Sequence, residues 1–347
     1  MHALVYDGPG VKRWTEVPDP RLQADTDAIV RVDAVTLCGT DLHILKGDVP
    51  TVTPGRILGH EAVGTVLATG SDVHSVTPGD RVLVSCITAC GACHYCRLQM
   101  FGQCLGGGGW ILGNTIDGTQ AEVVRVPFAD GSTHLAPAGV RDEDLLMLAD
   151  ILPTAYEVGV VNGRLQTGGV VAIVGAGPIG LAAITAAKLL SPSLVVAIDI
   201  EPSRLQAAKA FGADVVIDNG HEDALEVLHS MTGGLGADLA IEAVGVEATF
   251  TLATILVRPG GTVANIGVHG APALLHLEEL WSRNITITTG LVDTSSTAML
   301  LTLLKSGALD TRRFVTHHFD LEQMGQAYDV FGDAQASHAL KVVLTRS

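Results

Sequence analysis

The chain is poor in aromatic residues, in positive charge and in cysteines outside one segment. Phe, Trp and Tyr make up only 4% of its 347 residues, whereas hydrophobic residues make up 47% and there are 40 glycines. Few large rings and many small residues favour a tightly packed α/β protein in which backbones approach each other closely. The length is sufficient for two domains.

Positive charge is scarce, with 21 Lys and Arg against 37 Asp and Glu and a net charge of −16. No basic run is present, so neither nucleic acid nor an anionic membrane is expected as a partner. Long apolar runs are also missing, since even residues 170–190 are interrupted by glycines and Pro178. The first residues are typical of a strand rather than a signal peptide.

All six cysteines lie between positions 38 and 104. A disulfide framework would spread over a secreted domain, and nothing in this sequence marks export. Metal ligation in a reducing cytoplasm is therefore the expected use of the thiols.

The first candidate site begins at Cys38, with Thr40 and His43 close behind and His60-Glu61 following 17 residues after His43. A thiolate, an imidazole and a carboxylate can hold zinc and leave one coordination position open. Thr40 and His43 add groups that could bind an alcohol oxygen and move its proton. Each residue alone fits a core cysteine or a surface histidine better, but the set favours a metal centre.

Two neighbours of this stretch have simpler interpretations. Asp41 or Thr40 is expected to cap a short helix that carries His43, which we prefer to a metal role for Asp41. Cys86 is expected to be a core or pocket-lining residue without a ligand role.

A second group has the spacing C-x₂-C-x₂-C-x₇-C and consists of Cys90, Cys93, Cys96 and Cys104. Four thiolates at this spacing predict a closed tetrahedral zinc site that holds a loop. Four unligated surface thiols would instead be prone to oxidation. Four glycines follow and mark a flexible turn before Trp110, whose simplest interpretation is packing.

The strongest dinucleotide signal follows a predicted buried strand at 170–174 and precedes a predicted helix to residue 190. Its glycines would let the backbone approach a pyrophosphate at the N-terminus of a helix. The residues expected to contribute are Gly175, Gly177, Pro178, Ile179 and Gly180.

Asp199 ends the next predicted strand, 19 residues after Gly180. A carboxylate there would accept hydrogen bonds from a ribose diol and repel a 2′-phosphate, which favours NAD over NADP. Arg204, in the next predicted helix, is either a solvated helix charge or a cation that could favour a 2′-phosphate. Ile266 and Val268 follow a later strand, at the edge where the nicotinamide end is expected.

Here the sequence resembles a known family. The pattern Gly-His-Glu-x₂-Gly-x₅-Gly-x₂-Val runs from Gly59 to Val73 with Cys38 upstream, and it is similar to that of the zinc-dependent medium-chain alcohol dehydrogenases, particularly the bacterial secondary-alcohol branch. The resemblance covers the whole chain. It implies a GroES-like β-barrel catalytic domain, at 1–153 and 296–347 with a structural zinc lobe at about 86–105, and an inserted Rossmann doubly wound parallel-sheet domain at 154–295.

The resemblance also implies residue roles. Asp150, an acid among apolar neighbours that could otherwise cap a helix, corresponds to the third ligand of the catalytic zinc. Members with two cysteines and a histidine differ at this position. Thr154 corresponds to a residue that packs on the nicotinamide, and Glu61 to one that orients the histidine or briefly enters the coordination sphere. Trp110 corresponds to a pocket residue, the alternative to plain packing. Arg204 corresponds to a basic residue that contacts the adenosine ribose in NAD-dependent relatives, the alternative to a solvated charge. Two Zn²⁺ ions per chain and NAD are the implied cofactors.

The implied activity is NAD-dependent interconversion of primary or secondary alcohols and aldehydes or ketones, through a zinc-bound alkoxide and hydride transfer to nicotinamide. Thr40 would accept the alcohol proton and pass it toward His43. Alternatives are a polyol, threonine or formaldehyde dehydrogenase, or an inactive cofactor-binding relative. A small-molecule substrate, a cytoplasmic homo-oligomer (tetramer or dimer) and no membrane or nucleic-acid partner are expected.

Overall fold

The structure, a computed structural model, describes residues 1–346. These residues form two compact units, of which one combines Met1–Pro153 with the chain from Val292 onwards and the other is Thr154–Leu291. The second unit thus ends at Leu291, where the sequence analysis put the boundary at 295. None of the helices in the described chain has both the length and the apolar character that crossing a membrane requires.

The first unit is built mainly on antiparallel strands. Strand Ala28–Thr36 pairs with Ala62–Thr69 and, at its far end, with the C-terminal strand Lys341–Thr345. Across the larger sheet the described strands are Val315–Asp320, Lys341–Thr345, Ala28–Thr36, Ala62–Thr69, Arg81–Val84 and Thr133–Leu135, with Val123–Val126 also paired to Ala28–Thr36. A smaller sheet contains Val11–Glu16, His2–Gly8 and Arg56–Ile57.

Valines dominate the core of this unit because alternate strand positions face inward. Val30, Val32, Val66 and Val82 are each at most 1% exposed. The helices and 3₁₀ turns are Gly39–Lys46, His94–Arg97, Phe101–Gln103, Ala129–Ser132, Asp142–Leu146, Thr297–Ser306, Leu321–Gln323, Met324–Gly332 and Ala334–Ser337.

The second unit is a parallel sheet with helices between its strands, as predicted. In spatial order the described strands are Val215–Asp218, Leu194–Asp199, Val170–Val174, Ala237–Glu242, Val257–Asn265 and Thr286–Thr289. All five pairings are parallel. The longer helices are Pro178–Lys188, Pro202–Ala210, Ala224–Met231 and Glu247–Leu256, and a short one is Leu277–Leu280. This is the Rossmann strand order.

The order of strands in the second unit reverses at Val170–Val174. This first strand lies between Leu194–Asp199 and Ala237–Glu242. Ligands of open α/β sheets bind outside the carboxyl ends of the strands at such a reversal. Gly175, Asp199 and Glu242 all stand at this edge.

One segment of the chain with helical spacing is interrupted in the structure. Residues 144–161 have helical spacing, but the structure contains helix Asp142–Leu146, a turn, helix Ile151–Thr154 and a π-helical stretch Ala155–Val161. Pro153 explains the break, because proline lacks the N–H of a helix interior and is tolerated in a first turn. The break leaves Asp150 on a turn, immediately before the second helix.

Candidate functional site

Four side chains from three separate segments converge in the first unit. One ligand atom from each of Cys38, His60, Glu61 and Asp150 lies within 4.8 Å of all the others; we call this group the mixed cluster. Oδ2 of Asp150 is 3.5 Å from the Cys38 sulfur and 3.3 Å from His60 Nε2. A tetrahedron with metal–ligand bonds of ~2.0–2.3 Å has edges of ~3.3–3.8 Å, so these separations fit zinc.

Cys38 lies between strand Ala28–Thr36 and helix Gly39–Lys46, and it is the N-cap of that helix. The Asp41 carboxylate accepts the Cys38 backbone N–H at 2.9 Å. Neither Thr40 nor Asp41 is therefore the cap that the sequence predicted, although Asp41 does stabilise the start of the helix. A thiolate beside a helix N-terminus is favoured by the helix dipole.

His60 and Glu61 follow a glycine that no other residue could replace. Gly59 has φ +94°, and a Cβ there would lie 2.7 Å from the backbone nitrogen of Gln120. The turn at Gly59 brings both side chains into the interior, where His60 is 4% and Glu61 1% exposed.

The pKa values of the mixed cluster reflect burial and like charge. Burial, followed by the Asp150 carboxylate, raises the pKa of Cys38. Burial lowers the pKa of His60, but Asp150 and Cys38 raise it well above its ordinary value. Burial also raises the pKa of Glu61, to about 7. Acidic groups packed this closely are suited to a divalent cation.

Of the other residues predicted around the mixed cluster, Thr40 and Trp110 each lie beside one of its members, whereas His43 has a different partner. Thr40 Oγ1 is 3.6 Å from the Cys38 sulfur. The Trp110 ring lies edge-on to the His60 ring, with centroids 6.2 Å apart, and its buried Nε1 has no hydrogen-bond partner among the described residues. His43 pairs instead with Asp48, with Nδ1 2.8 Å from Oδ2.

Cys90, Cys93, Cys96 and Cys104 also converge, with their sulfurs within 4.8 Å of one another; we call them the four-cysteine cluster. The sulfurs of Cys90 and Cys96 are 3.9 Å apart, close to the ~3.8 Å edge of a tetrahedron with 2.3 Å Zn–S bonds. No disulfide occurs among the described cysteines.

Backbone groups surround these thiols. The N–H groups of Cys96 and Leu105 lower the pKa of Cys93 to about 6, whereas burial raises that of Cys96 to about 12. A Cβ on Gly106 would lie 2.6 Å from the Cys90 sulfur. The glycine run that we expected to be a flexible turn is thus also required for close packing on the cluster.

The glycine-rich loop of the second unit has the features of a phosphate cradle. Gly175 has φ +100°, and a Cβ on Gly180 would lie 1.9 Å from the Gly175 carbonyl oxygen. A Cβ on Gly177 would meet nothing within 4 Å, so the backbone there is open to a ligand. Helix Pro178–Lys188 starts at this point with Gly177 as its N-cap.

Asp199 supports this loop directly. Its Oδ2 accepts the Ala176 N–H at 2.7 Å, and its Oδ1 accepts those of Ile200 and Glu201 at 2.8 and 2.9 Å. A carboxylate has about four lone-pair sites, so three backbone bonds leave capacity for a ribose hydroxyl. The sequence had suggested only the ribose role.

The remaining cofactor candidates also lie in the second unit. Arg204 is half-buried in the first turn of helix Pro202–Ala210, and Ile266 is buried while Val268 is exposed at the carboxyl end of Val257–Asn265. Thr154 is half-buried where the second unit begins.

Comparison with known proteins decides the family. Residues 24–137 match the alcohol dehydrogenase GroES-like domain, and residues 178–306 match the zinc-binding dehydrogenase domain. A zinc-dependent alcohol dehydrogenase from Streptococcus pneumonia is 44% identical with TM-score 0.96, covering 100% of this chain and 99% of that one. An alcohol dehydrogenase from Cupriavidus necator is 35% identical over 99% of this chain and 98% of its own.

The chain belongs to the zinc-dependent medium-chain alcohol dehydrogenase family. The predicted family and the predicted GroES-like plus Rossmann fold are thereby confirmed. An oxidoreductase acting on alcohols is the general function that this family membership supports.

Two solved structures similar to this chain contain different nicotinamide cofactors. A protein described as a short chain alcohol dehydrogenase from Escherichia coli CFT073, 26% identical with TM-score 0.89 and covering 99% of both chains, is complexed with NADH. One from Sinorhizobium meliloti 1021, 27% identical with TM-score 0.87 and covering 99% of this chain and 98% of that one, is bound to NADP. The choice between NAD and NADP therefore has to be argued from this dehydrogenase's own residues.

Sequence reasoning missed Lys341, whose buried ammonium group bonds Glu61 at 2.9 and 3.2 Å. Burial by itself lowers the pKa of Lys341, but the acidic groups near it, the Glu61 carboxylate above all, raise it more, so the pKa lies above the ordinary value for lysine. A lysine inside the apolar run 339–344 was the available signal, because a buried lysine requires a partner.

It also missed Glu242, which is fully buried at the end of strand Ala237–Glu242. Its Oε1 accepts hydrogen bonds from the backbone of Val244 and Gly245 and from the Thr249 hydroxyl, at 2.7–2.9 Å. An acid ending an apolar strand was the signal. Its bonds stabilise the loop that leaves the sheet beside Gly175.

Proposed function

We propose that this dehydrogenase interconverts primary or secondary alcohols with aldehydes or ketones, using NAD and a catalytic zinc ion held by Cys38, His60 and Asp150. The observation that carries the proposal is the convergence of these donors, with Glu61, within 4.8 Å in a buried site. Zinc would supply Lewis acidity that lowers the pKa of a bound alcohol. The donor set leaves one position for the substrate oxygen.

Thr40 and His43 carry the proton in this proposal. The Thr40 hydroxyl lies beside the Cys38 sulfur, where it can accept the alcohol proton. With Nδ1 of His43 donating to Asp48, the Nε2 atom is the one left to accept a proton. His43 lies three residues after Thr40, one turn further along helix Gly39–Lys46. Thr40 would donate its own proton as it accepts that of the alcohol, and the cofactor ribose and water would carry the proton on to His43.

The four-cysteine cluster would hold a second zinc ion with a structural role. All four positions are thiols, so no position remains for water or substrate. Fixing the loop is the only contribution that such a site offers.

Gly175, Gly177, Pro178, Ile179 and Gly180 would form the cradle of the cofactor pyrophosphate, at the N-terminus of helix Pro178–Lys188. Pro178 has no backbone N–H and would fix the first turn of that helix, so the donors would be N–H groups of the other residues. NAD would supply the hydride acceptor. Asp199 would accept hydrogen bonds from the adenosine ribose and disfavour NADP. Arg204 would lie beside that ribose and Thr154 against the nicotinamide. Ile266 and Val268, at the end of strand Val257–Asn265, would lie near the nicotinamide end of the cofactor.

Trp110 is our candidate for the substrate pocket because its ring contacts the ring of His60. We further propose a homo-oligomer, either tetramer or dimer, acting in the cytoplasm. Trp281, Leu277 and Leu274 expose 78%, 61% and 57% of their surface on one segment of the second unit, and contiguous exposed apolar residues favour association.

The test combines metal analysis with cofactor reduction. Wild-type protein should contain two zinc ions per chain and reduce NAD with members of a panel of primary, secondary, cyclic and amino alcohols. Propan-2-ol is the reference substrate. One zinc per chain, or no reduction of NAD by any alcohol, would contradict the proposal.

A further inference from the structure

Lys341 is a buried lysine that contacts both segments carrying the first two candidate ligands. Its side chain is 2% exposed. Its Nζ donates to the Leu37 carbonyl at 2.7 Å and to both carboxylate oxygens of Glu61 at 2.9 and 3.2 Å. Leu37 directly precedes Cys38, and Glu61 directly follows His60. One ammonium group thus joins the two segments.

The contact between Lys341 and Glu61 also affects the charge balance of the mixed cluster. The mixed cluster brings the Cys38 thiol and the carboxyl groups of Asp150 and Glu61 within 4.8 Å of one another. A divalent cation would balance two of the three negative charges, and the ammonium of Lys341 balances the third. Buried charges require partners, and Glu61 would have two, namely Lys341 and a cation held by the mixed cluster.

We propose that Lys341 is a positioning residue that retains the Glu61 carboxylate and so keeps the fourth coordination position of the mixed-cluster metal open. This inference rests on the proposed function, because it requires a metal ion at that cluster. The ammonium has three N–H donors, and one carbonyl and two carboxylate oxygens use them. A shift of Glu61 toward the metal draws its carboxylate away from Lys341 and so weakens two charge-assisted hydrogen bonds, which oppose the shift.

Without Lys341, the metal is the strongest partner left for Glu61. The carboxylate would then become a fourth protein ligand. The metal would be held more tightly, and the position that the substrate needs would be closed. If Lys341 only stabilised the structure, its replacement would have the opposite effect. Both segments would become less well held, and the metal would be released faster than from the wild type.

The experiment measures release of zinc to an excess of chromophoric chelator from wild type, Lys341→Met, Glu61→Gln and the double variant. Cys38→Ser, which lacks one mixed-cluster ligand, identifies the phase that belongs to this cluster. Lys188→Met is the matched control, because its ammonium pairs with Asp214 on the surface of the second unit. Lys341→Gln, which keeps a donor for the Leu37 carbonyl, replaces Lys341→Met if that variant does not fold.

Lys341→Met should release the mixed-cluster zinc on the order of tenfold more slowly than wild type, the scale of changes around a metal ligand. Its alcohol turnover should fall by at least a similar factor. In the Glu61→Gln background, replacing Lys341 should change zinc release by less than about twofold, as expected for uncoupled sites. Lys188→Met should match wild type.

Faster release from Lys341→Met, or the same slowing in the Glu61→Gln background, would overturn the inference. The wild-type measurement separates this failure from a failure of the proposed function. If the wild-type mixed cluster binds no zinc, the proposed function itself is wrong.

Discussion

The two cysteine-containing clusters of the first unit differ in chemistry and in surroundings. The four-cysteine cluster repeats one ligand type within a single segment of the chain, and backbone N–H groups contact its sulfurs. The mixed cluster combines a thiol, an imidazole and two carboxyls from three segments, with a buried lysine beside them. The first arrangement would give a metal four protein ligands, whereas the second, as proposed, would leave one coordination position open.

The largest expected difference between the clusters is in catalysis. Cys38→Ser removes a proposed thiolate ligand of the catalytic zinc, so turnover should fall by about 10³-fold or more, because metal stabilisation of developing charge contributes several kcal/mol. Metal analysis, kcat and the thermal unfolding midpoint of the variant are measured together. One zinc per chain with a nearly unchanged midpoint is expected. Retained turnover would show that Cys38 is not a ligand.

A carboxylate outside both clusters gives the next largest effect. Wild type should prefer NAD over NADP by roughly a hundredfold in kcat/KM, because NADP loses a charge-assisted hydrogen bond of ~1.5–3 kcal/mol at Asp199 and adds repulsion. Asp199→Gly should lower kcat/KM with NAD and raise kcat/KM with NADP, because the repulsion is removed and Arg204 can then pair with the 2′-phosphate.

The hydrogen bond from Ala176 to Asp199 adds a refinement, because Asp199→Gly also removes support from the glycine-rich loop. Asp199→Asn is the matched control, since it removes the charge but keeps an acceptor oxygen. It should lose less activity with NAD than Asp199→Gly while still accepting NADP better than wild type. Equal use of both cofactors by the wild type would contradict the ribose role.

The proton route sharpens the comparison, because only the mixed cluster is proposed to need one. His43→Gln should slow alcohol oxidation by on the order of a hundredfold, the contribution of a typical general base. The loss should be greatest below neutral pH and be rescued at high pH, where hydroxide replaces the histidine. An unchanged pH–rate profile would show that His43 serves only its hydrogen bond to Asp48.

Local signals in the sequence predicted the parallel sheet and the grouping of four cysteines, whereas the GroES-like domain and the ligand role of Asp150 were implied by the resemblance to a family. The glycine-rich loop and strand periodicity predicted the parallel sheet, and cysteine spacing predicted the four-cysteine cluster. Long-range partners could not be predicted. Lys341 and Glu61 are 280 positions apart, and only the pairing of strand Lys341–Thr345 with Ala28–Thr36 brings the lysine to the ligands. The break before Asp150 was missed because helical spacing continues through Pro153.

The smallest catalytic effect is expected at the four-cysteine cluster. Cys93→Ser should reduce zinc from two ions to one per chain, since the three remaining thiols cannot complete the tetrahedron. Activity per folded molecule should stay within about threefold of wild type, because Cys93 lies outside the mixed cluster. A threefold change in rate corresponds to less than ~1 kcal/mol in the activation free energy. The unfolding midpoint should fall by ~5–10 °C, as expected when a loop loses a few kcal/mol of metal binding.

Cys86→Ala is the matched control, because Cys86 is buried and lies outside both groups of ligand atoms, and it should keep both ions. Loss of both ions from Cys93→Ser would mean that the two clusters do not bind metal independently, and the contrast between a closed and an open site would then have to be abandoned.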